Sequence, residues 1–180
     1  SDVFDKNKVA QYGYEDSYSR QTRFAVLCGD PAAFPPYNDS RGPLTDCQPA
    51  PNPDGISGPG KQYDVARYRD FFSLPRVQGG VKDSPLDVLL FAIDAPEEPF
   101  QVILSNPGTP YGQPYVICPA LDEGRNPPCV PVLQHSCVNP RNPTFYGDPA
   151  VRLNNVVKSA HNNAVFSVCE DDYSPALDAA

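Results

Sequence analysis

The chain has 180 residues, of which 40% are hydrophobic, and a formal net charge of −8. This length suits one folded domain with its own core. The negative charge argues against nucleic acids and anionic membrane surfaces as partners, because both present phosphates, and no run approaches the roughly 20 apolar residues that cross a membrane.

We expect a single domain or partial domain over residues 1–180. Residues 1–62 indicate an irregular, loop-rich segment with one short strand at 23–27, because proline, glycine, Asn and Asp are dense between 31 and 60. The chain begins with Ser1 and contains no methionine. We therefore expect a processed or partial chain.

Residues 63–105 predict one helix and two buried strands. The helix covers 63–73, and its apolar face holds Val65, Tyr68, Phe71 and Phe72. The strands cover 84–93 and 99–105. The first of them contains the strongest apolar run of the chain, and its continuity favours a strand buried on both faces, as in a parallel sheet.

Residues 106–147 indicate a Cys- and Pro-rich insertion, and residues 148–180 predict a helix–strand–helix end. Asp148 is expected to cap the first helix of this end. The apolar face of that helix holds Ala150, Leu153, Val157 and Ala160, with Val151 and Val156 beside it. Strand 164–168 follows, and Ser174 begins the last helix.

This order of elements predicts an α/β fold with a mainly parallel sheet. A right-handed crossover would place strand 164–168 beside or near strand 87–93. Two or three strands are few for a doubly wound sheet. We therefore expect a partial doubly wound domain with long Pro- and Gly-rich loops stapled by disulfides.

The chain has six cysteines and two histidines, and no C-x-x-C spacing occurs. Zinc sites usually need such close ligand pairs, so disulfides in an oxidising compartment are favoured. Six cysteines allow fifteen pairings. The pairing that we favour is Cys28–Cys47, Cys118–Cys129 and Cys137–Cys169.

Gly55 to Lys61, GISGPGK, has the spacing of a phosphate-binding loop up to its lysine. Gln62 stands where Ser or Thr should hold magnesium, Pro59 removes one backbone N–H, and no strand precedes the motif. We interpret this stretch as a flexible loop rather than a nucleotide site.

The sequence shows no recognisable nucleophile, because it lacks Gly-x-Ser-x-Gly and has no cysteine in a catalytic pattern with histidine. His135 lies in the cysteine-flanked stretch LQHSC, and His161 lies at a predicted helix end. Neither has a nearby acidic residue in the sequence that indicates a triad or a metal pair. We interpret both as structural histidines.

Two groups of carboxylates are adjacent in the sequence. Glu97 and Glu98 point in different directions and do not make a general acid/base pair. Glu170, Asp171 and Asp172 follow a predicted strand end, where α/β sheets bind ligands, but their charge also suits the start of a helix. We favour helix capping over ligand or calcium binding.

Asn38-Asp39-Ser40 is an N-glycosylation sequon, which matters only in a eukaryotic source.

Three segments resemble the end of a von Willebrand factor A-type domain from secreted or surface bacterial proteins such as those of myxobacteria. They are LQHSC at 133–137, DPAVRLNNVVKSA at 148–160 and FSVCEDDYSPALDAA at 166–180. Residues 63–93 are similar to the later helix and penultimate strand of that family. The resemblance implies a doubly wound fold that binds protein ligands through a divalent metal. The D-x-S-x-S motif of that metal site is absent from this chain, so its ligands would lie elsewhere.

We therefore predict a non-enzymatic, secreted or surface-located module for recognition or adhesion. The alternative is a structural subunit of a self-assembling extracellular structure. The expected partner is a protein, either a second polypeptide that completes the sheet or further copies of the chain, contacted by loops 28–60 and 106–147. No cofactor is expected within this chain, and a divalent metal would bind only if a missing N-terminal half supplied its ligands.

Overall fold

The computed structural model describes residues 23–36, 42–52, 58–60, 62–105, 118 and 129–178. The strands are β1 (Val26–Leu27), β2 (Gln48–Pro49), β3 (Leu89–Asp94), β4 (Val102–Ser105), β5 (Val130–Leu133), β6 (Cys137–Val138), β7 (Tyr146–Gly147) and β8 (Asn162–Ser167). The helices are α1 (Ala66–Ser73), α2 (Val151–Val157) and α3 (Ser174–Asp178), with 3₁₀ turns at Arg76–Gln78 and Pro85–Asp87. The described part therefore mixes helices and strands, as the sequence predicts.

The described strands form four separate pairs. β3 and β8 are parallel, so the predicted neighbours 87–93 and 164–168 do lie side by side. The pairs β1–β2, β4–β5 and β6–β7 are antiparallel. A mainly parallel sheet is therefore wrong for the described strands, because short connections such as the one between β6 and β7 favour antiparallel pairing. The doubly wound arrangement stays a prediction.

The main core lies around β1, β4 and the start of α2. Phe100 is fully buried and packs with Val26, Leu44, Val102, Leu133 and Val151. Phe100 and Leu44 also exchange backbone hydrogen bonds of 2.8 and 3.1 Å. Burying one phenylalanine contributes about 1.5–3 kcal/mol, so this cluster fixes β4 in the interior.

The strand predicted at 84–93 starts later and is less buried than expected. Its first residues form a 3₁₀ turn, because the Ser84 hydroxyl accepts the Leu86 N–H at 3.2 Å. No residue of β3 is buried, whereas all four residues of β4 are. The expectation of burial on both faces is therefore wrong for β3. Complete burial is found in β4 instead. An apolar run predicts a strand, but it does not show which elements will pack against that strand.

Helix α2 begins later than predicted, and its cap is different. Ala150 occupies the N-cap position and makes no side-chain hydrogen bond there. The carboxylate of Asp148 contacts His135 instead. The predicted Asp148 cap is therefore wrong, because a tertiary partner takes the oxygen that would have capped the helix.

The buried face of α2 is also rotated from the predicted one. The helix buries Val151, Asn154 and Val157. Leu153, which the apolar periodicity placed on the inner face, is 53% exposed. Val157 and Ala160 of the predicted face are buried, so the periodicity is wrong for Leu153, in whose place the polar Asn154 occupies the buried face.

Helix α1 lies near the predicted position but does not bury the predicted face. Val65, just before the helix, is buried, whereas Tyr68 and Phe71 are exposed. No residue within α1 is buried. The aromatic side chains of this helix therefore remain largely at the surface.

The predicted insertion at 106–147 contains β5, β6 and β7 in the part that the structure describes. β5 pairs with β4, and Pro131 stands opposite Leu104 in that register. The proline lowers the sequence signal for a strand, because it cannot donate a ladder hydrogen bond. This explains why the strand was not predicted.

The structure contains the disulfides Cys28–Cys47, Cys118–Cys129 and Cys137–Cys169, which are the pairs favoured from the sequence. All six cysteines are therefore bonded. The first disulfide adjoins the main core. The third joins β6 to the segment that follows β8.

Candidate functional site

The candidate site lies at the carboxyl ends of the parallel pair. Asp94 ends β3 and Ser167 ends β8, and the two residues are register partners. The strands stay together beyond this point, because the Val168 N–H donates to the Asp94 carbonyl at 2.8 Å. This edge is where parallel α/β sheets bind their ligands.

Helix α2 places a buried amide against this edge. Asn154 is 1% exposed, and its Nδ2 donates to the carbonyl of Ala95 at 3.1 Å. Its Oδ1 is buried and has no hydrogen-bond partner among the described residues. A buried acceptor without a donor costs about 1–3 kcal/mol, so a donor brought to this oxygen would stabilise the site.

Both carboxylate oxygens of Asp94 are likewise buried without a hydrogen-bond partner among the described residues. Burial raises the pKa of Asp94 to about 6, and Glu97 adds to this rise. The Asn154 amide and, less strongly, Lys158 lower the pKa of Asp94. The Asn154 amide acts by proximity, because its N–H is directed to Ala95 and makes no hydrogen bond of normal geometry with the carboxylate.

A cavity of about 390 Å³ opens beside these groups. It is lined by Asp94, Pro96, Glu97, Glu98, Asn154, Lys158, Val165, Phe166 and Ser167. Glu97 Oε2 lies 2.7 Å from Lys158 Nζ, and Glu98 Oε1 accepts the Asp46 N–H at 2.6 Å. Asp94 is thus the lining carboxylate whose oxygens remain unpaired within the described part.

The site does not offer a metal cluster. Within the described ranges, no group of three His, Cys, Asp or Glu residues is placed to hold a metal ion. Calcium usually takes six to eight oxygen ligands, and the cavity brings together only one unpaired carboxylate and one unpaired amide oxygen. The unpaired oxygens of Asp94 and Asn154 can accept hydrogen bonds from a ligand that carries N–H or O–H groups.

A second feature of the parallel pair is an apolar surface that we call the open face, formed by Leu89, Phe91, Ile93, Ala164 and Phe166. These residues share one side, because side chains alternate along each strand and register partners point the same way. Leu89 is 50% and Ile93 36% exposed, and the rings of Phe91 and Phe166 are 5.5 Å apart. No residue of β3 or β8 is buried.

His135 has an acidic partner that its sequence neighbours do not show. Its Nδ1 lies 2.6 Å from Asp148 Oδ1, and its ring stacks on Tyr146 with the ring centroids 3.6 Å apart. The adjacent Ser136 N–H donates to the Gly147 carbonyl at 2.9 Å. The His135–Asp148 contact therefore joins the start of β6 to the end of β7.

A cysteine nucleophile is excluded, because every cysteine is in a disulfide.

The acidic cluster after β8 is divided between two structural roles. Asp172 Oδ1 accepts the Ser174 N–H at 2.8 Å, and hydrogen bonds to Ser174 lower the pKa of Asp172. This matches the predicted capping of α3. Asp171 instead pairs with Arg141 at 2.9 Å and accepts Asn139 Nδ2 at 2.9 Å.

The described part of the GISGPGK stretch does not present amides to a phosphate. The Gly58 N–H donates to Asn52 Oδ1 at 3.2 Å, and the Gly60 N–H donates to the Pro51 carbonyl at 3.3 Å. A Cβ on Gly58 would lie 2.1 Å from the Pro51 oxygen, so this glycine serves close backbone packing. Residues 55–57 and Lys61 lie outside the described residues, as does the sequon at 38–40.

Glu97 and Glu98 stand out in the sequence as neighbouring carboxylates, whereas Asp94 and Asn154 were not predicted as site residues. Asp94 had a usable signal, since it follows the strongest apolar run, at a strand end where α/β sheets bind ligands. Asn154 had none, because a polar residue in a predicted helix is normally assigned to the surface. Its burial becomes visible only once β3 is placed beside α2.

Comparison with protein-family models, curated proteins and solved structures finds no significant match to this chain. The resemblance to von Willebrand factor A-type domains therefore stays a prediction. Among the described helices, none has the length and apolar character needed to cross a membrane.

Proposed function

We propose that this chain is a non-enzymatic recognition module that binds another protein through the open face. The observation that carries this proposal is a parallel strand pair in which no residue is buried. Parallel strands in proteins are almost always covered on both faces. A partner seated on Leu89, Phe91 and Ile93 would supply the missing cover.

A second polypeptide fits this role better than a further copy of the chain. Two copies would each bring a net charge of −8, and like charges oppose association. β3 and β8 each have only one strand neighbour among the described residues. A partner strand added beside either of them would form main-chain hydrogen bonds as well as apolar contacts.

The three disulfides favour an oxidising location, so we place this recognition in a secreted or cell-surface setting. Adhesion through a protein ligand is the corresponding role of the von Willebrand factor A-type domains that the sequence resembles. Under that resemblance, a second polypeptide would carry the first strands of the sheet and the metal ligands.

Native mass spectrometry of the protein isolated from its source tests the proposal. We expect a complex containing a second polypeptide, and slower hydrogen exchange in β3 and β8 than in the isolated chain. Ile93→Lys should weaken this complex at least about tenfold, because it places a charge in the apolar contact. Leu177→Lys is the matched control, since Leu177 is an exposed leucine of α3 that does not belong to the open face.

A monomer whose β3 and β8 amides exchange as in the isolated chain would overturn the proposal. A complex made only of this chain, growing with concentration in sedimentation, would also overturn it. That second outcome would favour the structural-subunit alternative.

A further inference from the structure

We propose that the cavity at the carboxyl ends of β3 and β8 binds a guanidinium group, the cation carried by an arginine side chain. Asp94 alternates with Ile93 and therefore points to the opposite side of β3 from the open face. Phe166 borders both the open face and the cavity, but the oxygen acceptors that carry this inference lie outside the open face.

Two residues that line the cavity carry three buried oxygen acceptors for which the described residues supply no donor. They are both carboxylate oxygens of Asp94 and Oδ1 of Asn154. A guanidinium carries five N–H groups in a planar fork, and two of them match the two oxygens of one carboxylate. A further N–H is available for Asn154 Oδ1. No hydrogen bond of normal geometry has to break, because these atoms have no such partner among the described residues.

The space and charge of the cavity fit this ligand. A volume of about 390 Å³ lies within the range of small-molecule sites and exceeds the needs of one side chain. Pro96 and Val165 provide apolar wall for the methylene stem of an arginine. The Asp94 oxygens are buried, so the proposal requires the Asp94 side chain to turn toward the cavity when the ligand binds.

Other occupants fit less well. Lys158, the cation of the cavity lining, is held by Glu97 at 2.7 Å. An anion would meet the carboxylates of Asp94 and Glu97. A divalent metal would find too few oxygen ligands among the described residues. An alkylammonium ion satisfies the charge, but it is more strongly hydrated and lacks the planar fork that pairs with both carboxylate oxygens.

The test titrates the folded chain with Nα-acetyl-arginine amide and follows backbone and side-chain amide signals by NMR. We expect shifts at Ala95 and in the Asn154 side chain, with a Kd on the order of 1 mM. The matched ligand is Nα-acetyl-citrulline amide, which has nearly the same shape and no charge. It should bind at least about tenfold more weakly.

Protein variants provide the second arm. Asp94→Asn should weaken binding at least about tenfold, whereas Glu170→Gln, which makes the same change in net charge at an exposed position, should leave it unchanged. Because the ligand needs the charged carboxylate, binding should weaken about tenfold between pH 8 and pH 5, as expected when the pKa of Asp94 is about 6.

Several results would overturn the proposal. They are equal binding of the arginine and citrulline ligands, equal losses in both variants, and no shifts up to about 50 mM ligand. Tighter binding of Nα-acetyl-lysine amide, or displacement by Ca²⁺ or Mg²⁺ at lower concentration, would reassign the site to another cation. If Asp94→Asn does not fold, the citrulline comparison on the unchanged chain decides alone.

Discussion

Asp94 couples folding to pH. Its pKa rises from 3.8 to about 6 when the chain folds, chiefly through burial. A group whose pKa is raised by folding stabilises the folded state below its unfolded pKa, and that contribution disappears as the pH rises through the folded pKa. Above about pH 6, the buried charge of Asp94 therefore lowers the stability of the fold.

We expect Asp94→Asn to raise the free energy of unfolding at pH 8 by about 1–2 kcal/mol, after allowance for the partial exposure of the residue. Below about pH 3 the effect should be small, because Asp94 is then largely protonated in both folded and unfolded chains. Urea unfolding of both proteins at the two pH values measures the difference, with Glu170→Gln as the control. The same effect at both pH values would contradict this assignment.

Sequence reasoning at the residue scale succeeded where the partner is a close neighbour. The capping role expected after β8 is found at Asp172, whose carboxylate bonds an N–H two residues away. The role expected for Asp148 was wrong, because His135 lies 13 residues away in the chain yet 2.6 Å away in space. Local spacing does not encode such a contact. The unpaired oxygens of Asp94 and Asn154 depend on tertiary contacts in the same way.

At the scale of elements, helix α2 provides a direct test of which face is inside. Val157 is 5% exposed, and Leu153, four residues earlier, is 53% exposed. The predicted apolar face included both residues. Only one of them contributes to packing.

We expect Val157→Ala to lower the free energy of unfolding by about 1–3 kcal/mol, because it leaves a cavity in a packed interior. Leu153→Ala should change it by less than about 0.5 kcal/mol, since the larger side chain is mostly in water. Urea unfolding of the two variants at the same pH makes the comparison. A larger loss in Leu153→Ala would restore the face predicted from the periodicity.

The positions of the strands were predicted better than their burial. The runs at 84–93 and 99–105 both contain strands, and β8 overlaps the predicted strand 164–168 but begins and ends earlier. Their burial was assigned in the wrong order, since β4 is inside and β3 is not. Side-chain composition favours a strand, whereas burial depends on the elements that pack against it. The elements that pack against a strand cannot be predicted from the sequence of that strand alone.

For the whole molecule, the disulfides are the main covalent constraint on the described part. Cys137 and Cys169 are separated by 32 residues, and Cys118 and Cys129 by 11. In the chain-entropy account, a cross-link stabilises the fold by restricting the unfolded chain, and the effect grows with the length of the closed loop.

Replacing Cys137 and Cys169 together with serine should therefore lower the free energy of unfolding by about 3–4 kcal/mol. The corresponding double replacement of Cys118 and Cys129 should cost about 1 kcal/mol less. Denaturant unfolding of the two variants under non-reducing conditions measures both. A larger loss from the shorter loop would show that local packing, rather than loop entropy, dominates.

The whole-molecule architecture was predictable only in outline. Composition predicted a folded, disulfide-bonded chain, and the order of elements predicted the parallel contact between β3 and β8. The division of the described strands into four separate pairs was not predictable. Strands such as β5, with Pro131, and the two-residue β6 and β7 carry weak local signals.

The link from Cys137 to Cys169 has a consequence for how the molecule responds to proteases. It encloses β7, α2 and β8 within one covalent loop. A single backbone cut between 138 and 168 would thus leave one particle of nearly unchanged mass, which separates into two polypeptides only after reduction. A second polypeptide released by reduction therefore identifies a binding partner only if its sequence lies outside these 180 residues.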